Sequence, residues 1–188
     1  MRAQIIYADP AWTYRDKALA GDRGAGCKYP LMTVADMANL PIPSITDENC
    51  ALFMWVTMPM LAEGLALGKS WGFTYKTNAF TWVKRNASGS PWFFGMGRWT
   101  RANAELCLLF TKGKPQRVYA GVGSIIETVR ARHSAKPAET RDRIVRLLGD
   151  LPVKVELFAR ENVPGWISLG YDIDGKDLRE SIPELAVQ

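Results

Sequence analysis

Asp9-Pro10-Ala11-Trp12 sets a carboxylate, a proline-fixed carbonyl and an indole side by side. Asp9 offers two acceptor oxygens and the Pro10 carbonyl adds another. Proline fixes its own φ, so that carbonyl has few directions in which to point. Paired acceptors suit an amine that must give up both protons to hydrogen bonds, and the exocyclic NH2 of adenine or cytosine is such a group. Its lone pair is delocalised into the ring and is a poor nucleophile; holding both N–H bonds out of that geometry localises it. Trp12 supplies a flat face on which a base can stack, worth about 1–3 kcal/mol. The same residues also make an ordinary Asp-Pro turn beside a core tryptophan, and the tetrapeptide alone does not separate the two readings.

The elements that must position this stretch follow from hydrophobic pattern. The apolar run Gln4–Tyr7 predicts a buried strand just before Asp9, and in open α/β sheets ligands bind beyond the carboxyl ends of strands. Further strands are expected over 50–57, in two pieces within 73–84, over 104–111, over 153–159 and over 167–170, with 125–132 of mixed character. Thr33-Val34-Ala35-Asp36 predicts a capping box and a short helix ending before Pro41. Pro59 predicts a helix through about Leu67, closed by Gly68 or Gly72. Pro137 fits the first position of a helix running to Leu148 with Gly149 as its stop, which puts Lys136 at or beside the cap. A lysine there adds charge to a helix N-terminus and suits a carboxylate or a phosphate.

Two irregular stretches interleave aromatic and basic residues. The first, 13–30, carries Tyr14, Lys17, Arg23, Lys28 and Tyr29; the second, 84–101, carries Lys84, Arg85, Arg98 and Arg101 beside Trp92, Phe93, Phe94 and Trp99. That composition suits a nucleic-acid clamp around one site; each stretch taken singly is equally an ordinary solvated loop.

The chain has 188 residues, of which 47% are hydrophobic and 23% charged, and a net charge of +5, the profile of a single globular domain. Charge is uneven: segment 172–188 holds five acids and two bases, leaving a basic body suited to a polyanion. The expected organisation is one domain over 1–175 and an acidic C-terminal tail over 176–188. No run is long enough to span a membrane and the start has no signal-peptide shape, so a cytoplasmic protein away from membranes is expected. Three widely spaced cysteines argue against a disulfide frame, and with His133 as the single histidine no zinc-type spacing exists, so no metal is expected.

Taken in order, these motifs resemble the mRNA-adenosine-methyltransferase-like (MT-A type) family of S-adenosylmethionine-dependent N6-adenine methyltransferases. The family's Asp-Pro-Pro-Trp stands here as Asp9-Pro10-Ala11-Trp12. It is followed by Tyr29-Pro30-Leu31-Met32, Leu52–Thr57, Trp82-Val83-Lys84, Trp99-Thr100-Arg101 with Asn103-Ala104-Glu105, His133–Pro137, Glu156–Arg160, and Gly165-Trp166 with Leu169-Gly170. The resemblance covers roughly residues 4 to 175 and implies a Rossmann-like, doubly wound α/β methyltransferase sheet in the permuted (β-class) order, catalytic motif before cofactor strand.

By that resemblance, Asp9, Pro10 and Trp12 are the catalytic set, Asp9 and Pro10 taking the target amine and Trp12 packing on the base. The cofactor S-adenosylmethionine falls to Ala8, Asp9, Lys136, Arg160, Asn162, Tyr171 and Asp172, with Lys136 on its carboxylate and Glu156 as a supporting partner. The substrate falls to Tyr14, Tyr29, Lys84, Arg98 and Arg101. Ala11 replaces the second proline and leaves the turn less rigid, and Tyr171 stands where many members have asparagine. The implied substrate is nucleic acid, DNA before RNA, and a homodimer is a further expectation. The rival readings are an RNA N6-adenosine methyltransferase and an inactive methyltransferase-fold subunit that only binds nucleic acid.

Overall fold

A computed structural model describes residues 1–12, 32–86, 92–95, 97, 99–129 and 135–188. The readings placed on Tyr14, Lys17, Arg23, Cys27, Lys28, Tyr29, Arg98 and His133 lie outside the described residues.

The strands are β1 (Ala3–Ala8), β2 (Thr46–Val56), β3 (Thr74–Arg85), β4 (Glu105–Lys112), β5 (Ile125–Val129), β6 (Lys154–Leu157) and β7 (Ile167–Leu169). They form one sheet in the order β5-β3-β4-β2-β1-β6-β7. β1 pairs in parallel with β2 on one side and with β6 on the other, and β6 with β7. β4 runs antiparallel between β2 and β3, and β5 is parallel to β3. The carboxyl ends of β1, β2, β3, β5, β6 and β7 therefore lie along one edge, together with the amino end of β4. β1 sits where the strand order reverses, the position at which open α/β sheets bind ligands.

Helices cover both faces, because each strand alternates its side chains between them. One face carries Ile6, Ala8, Leu52, Met54, Val56, Leu108, Phe110, Val155 and Leu157. Against it pack α1 (Val34–Ala38), α2 (Ile42–Ile45), α3 (Leu61–Ser70) and α6 (Leu178–Ala186). The other face carries Tyr7, Phe53, Trp55, Phe80, Trp82 and Cys107, covered by Ile144 and Leu148 of α4 (Glu139–Leu148). The doubly wound architecture is thus present, with the Asp9 strand preceding β6 as in the permuted order. α1 has the expected capping box, Thr33 with Asp36. α3 runs on through Gly68 and stops at Gly72, whose φ is +85°. Gly64 and Gly68 let it approach the sheet: a Cβ at Gly64 would stand 2.4 Å from Val56 Cγ1, and one at Gly68 2.4 Å from the Phe110 ring.

Two expectations change. β3 is one strand of 12 residues, not two pieces, because irregularities at Tyr75/Thr77 and Asn78/Phe80 interrupt its alternation without breaking it. The acidic tail is not a tail: after the short α5 (Tyr171–Asp174), residues Leu178–Ala186 form α6, with Leu178, Ile182 and Leu185 buried in the core. Spacings of four and three put those side chains on one stripe while the acids face outward. Among the described residues, no helix is long and apolar enough to cross a membrane.

Candidate active site

The site lies on the edge where β1 ends. Side chains two residues apart on a strand share a face, so Asp9, Lys84 and Glu105 continue outward the rows that begin with Tyr7, Trp82 and Cys107. Strand order then brings together what sequence separates: Trp82 is the register partner of Glu105, and Trp55 that of Cys107. Lys136 enters from the segment leading into α4, the helix covering this face.

The result is a chain of alternating charges. Lys136 Nζ is 2.7 Å from Asp9 Oδ1 and 3.3 Å from Glu105 Oε2, and Lys84 Nζ pairs with Glu105 Oε1. The four side chains are only 14–17% exposed. Burial disfavours the Lys136 ammonium, but Asp9 and Glu105 outweigh it and hold its pKa above the ordinary lysine value. Burial likewise pushes the Glu105 carboxyl up, but Lys136 and Lys84 outweigh that and hold it below the usual range. Each lysine also lies over an indole, Lys136 at 5.9 Å from the Trp55 ring and Lys84 at 4.8 Å from the Trp82 ring. Asn103 fixes the backbone of Lys84, accepting from its N–H at 2.8 Å and donating to its carbonyl at 2.9 Å.

The Asp9–Trp12 turn is held at both ends. The Asp9 N–H donates to the Leu157 carbonyl, and the Pro10 carbonyl accepts the Trp12 N–H at 2.9 Å, closing a three-residue turn around Ala11. One lone pair of that carbonyl is thereby engaged and a second remains. The hydrogen bond supplies rigidity that a second proline would otherwise give. Trp12 corrects an expectation: its indole is not an open stacking face but is 8% exposed, in the core, with Nε1 donating to the Trp55 carbonyl at 3.1 Å. It anchors the turn to β2.

On the far side of Asp9 a cleft opens over the ends of β6 and β7. Arg160, Tyr171 and Asp172 line it with Asp9, so four residues expected at the cofactor meet there. Asn162 is exposed and is not among the residues lining it. Ala8 is corrected as a cofactor-binding residue: it is 0% exposed, its methyl enclosed in the core and its backbone between Met54 and Leu157. Lys136 is corrected in place. α4 begins at Glu139 with Ala138 as its cap, two residues later than Pro137 would set it. The ammonium is therefore balanced by carboxylates, not added to a helix terminus. Glu156 holds Arg141 in a two-pronged pair, both bonds 2.8 Å, beneath Tyr7. Lys84 joins the cluster, while Arg101 is exposed on the loop beyond it. Glu105 joins the charge cluster as a candidate to which the sequence assigns no role; its signal is a lone carboxylate opening an otherwise apolar strand.

A doubly wound sheet with a carboxylate–lysine cluster and an adjoining cleft at its switch point has the layout at which open α/β folds bind ligands. The family model MT-A70 matches residues 3–172. Type II methyltransferase M.MunI of a Mycoplasma species is 37% identical, over 90% of this chain and 77% of its own length. An N(6)-adenosine-methyltransferase MT-A70-like protein of Drosophila melanogaster is 33% identical, over 98% of this chain and 29% of its own. The N(6)-adenosine-methyltransferase catalytic subunit METTL3 of Homo sapiens is 32% identical, over 91% and 28%. The chain belongs to the MT-A70 family of methyltransferases. It spans most of the first of these relatives and under a third of the other two.

Proposed function

We propose that the enzyme transfers a methyl group from S-adenosylmethionine to the N6 amine of adenine in DNA. The observation that carries this is the Asp9 carboxylate at the sheet's switch point, bridged to Lys136 on one side and open to a cleft on the other. The donor set fits the cofactor: an ammonium for its carboxylate, acceptors for its amine and hydroxyls, and a partly apolar cleft for its nucleoside. When bound, S-adenosylmethionine supplies an electrophilic methyl group on a sulfonium.

The chain's own residues do the rest. Lys136 would hold the cofactor's carboxylate, Asp9 would accept one N–H of the target amine, and the remaining lone pair of the Pro10 carbonyl would accept the other. As the amine gains positive charge, both acceptors bind it more strongly than in the ground state, which is what lowers a barrier. The amine proton leaves late to Asp9 or to water. Glu105, paired with both Lys136 and Lys84, orients the two ammonium groups. In a duplex the adenine first leaves the stack, at a few kcal/mol. With Trp12 buried, stacking falls to other groups.

The preference for DNA rests on the higher identity to type II methyltransferase M.MunI, 37%, against 33% and 32% to the relatives named N(6)-adenosine-methyltransferases. Incubation with methyl-labelled cofactor and separate DNA and RNA pools, followed by nucleoside analysis, tests it. Label in N6-methyl-2′-deoxyadenosine is expected; label only in the ribonucleoside assigns RNA instead.

A further inference from the structure

The cleft beside Asp9 has a wall that the family match does not include. The match ends at residue 172, yet Asp177 and Leu178, at the start of α6, line the cleft. α6 is firmly seated: Ile182 and Leu185 are 0% and 5% exposed in the core under the sheet. Asp177 caps it by accepting the Arg179 N–H at 2.8 Å. The helix thus presents Leu178 to the cleft from a fixed base.

Phe158, directly after β6, lines the same cleft. Its φ is +59°, a left-handed conformation uncommon for a bulky side chain, and it is the one non-glycine residue with positive φ among those described. Such strain persists where the surroundings impose it, and it gathers at ligand sites. Here it turns the chain so that Phe158 lines the cleft together with Met32. Met32, Phe158 and Leu178 form an apolar slot, and Asp9, Arg160 and Asp172 form its polar surround. A slot of that kind fits a flat heteroaromatic ring with a sugar at its mouth.

Direction follows from the charges. Lys136 meets Asp9 from the β4 side, through Glu105, whereas the cleft lies over β6, β7 and α6. A cofactor with its carboxylate at Lys136 and its methyl at Asp9 sends its nucleoside end into the slot.

We propose that α6 is part of the cofactor site, Leu178 forming with Met32 and Phe158 the wall that receives the adenine ring. This rests on the S-adenosylmethionine reading above. The test is calorimetry of the full chain with S-adenosylhomocysteine, comparing Leu178→Ala with Leu185→Ala. Both remove buried methyl groups from the same helix, but only the first touches the slot. Leu178→Ala should weaken binding about five-fold or more, because the ring then buries less apolar surface, while Leu185→Ala stays within about two-fold of the unaltered chain. Equal effects of the two, or none at Leu178, overturn the wall. Should Leu178→Ala not fold, Leu178→Val reads the same comparison. An unaltered chain that does not bind the compound overturns the cofactor reading itself. Lys136→Ala, acting at the amino-acid end, weakens binding whether or not α6 takes part, so the two failures are distinguishable.

Discussion

Lys136 is the residue on which the site's charges balance. It has two carboxylate neighbours, Asp9 and Glu105, and the first is the acceptor in the proposed reaction. Replacing it with alanine should weaken S-adenosylmethionine binding by about 1.5–3 kcal/mol, the worth of a hydrogen bond to a charged group. Calorimetry checks this, and an unchanged dissociation constant contradicts it. Glu105 holds both lysines and gives a prediction with a definite sign in pH. Its folded pKa lies below the ordinary carboxylate value, because Lys136 and Lys84 outweigh its burial. The native state then binds fewer protons than the unfolded chain. The stabilisation is fully present above about pH 4.3, the unfolded value, and is lost as pH falls through the lowered folded value. Urea midpoints measured across that window should fall less steeply for Glu105→Gln than for the unaltered chain. Coincident pH profiles would remove Glu105 from the charge chain.

At the scale of elements, α3 depends on small residues where it packs on the sheet. A Cβ at Gly68 meets three atoms of the fully buried Phe110 ring at 2.4–2.7 Å. Overpacking of this kind costs about 1–3 kcal/mol, against roughly 1 kcal/mol regained in helix propensity. Gly68→Ala should therefore lower stability by up to ~2 kcal/mol, seen as a reduced denaturation midpoint; a raised midpoint would show that the ring yields. The strands β1, β2 and β4 are legible in the sequence because their runs of apolar residues are buried on both faces. β5 reads as mixed because it is an edge strand whose Ile125 and Val129 are exposed. α6 is hidden by its acids and by Pro183 inside it, although Leu178, Ile182 and Leu185 keep an apolar stripe. Asp9 and Lys136, which pair at the end of β1, are legible as candidate site residues from their local settings, even though α4 starts later than Pro137 suggests. Glu105 is not, because its role comes from β4 lying between β2 and β3, and no local pattern records strand order.

Across the whole molecule the net charge has the sign that attracts a polyanion. The net +5 of the chain persists despite the acidic segment after residue 171. Affinity for nucleic acid should therefore fall steeply with salt. Charge reversal at the exposed Arg101 should flatten the slope of log affinity against log salt by about 0.9 for each duplex phosphate it no longer neutralises. An unchanged slope would show that Arg101 neutralises no phosphate.

The central claim is that Asp9 acts in the chemical step. Asp9→Asn keeps the size of the side chain but puts an amide, which can present a donor, where an acceptor is required. Single-turnover transfer of labelled methyl from S-adenosylmethionine to adenine-containing DNA, run beside nucleic-acid binding on the same protein, measures it most directly. The expected result is a rate at least ~100-fold lower, about 2.7 kcal/mol of transition-state stabilisation, with nucleic-acid affinity retained. Methylation of adenine by Asp9→Asn at near the unaltered rate would contradict the account.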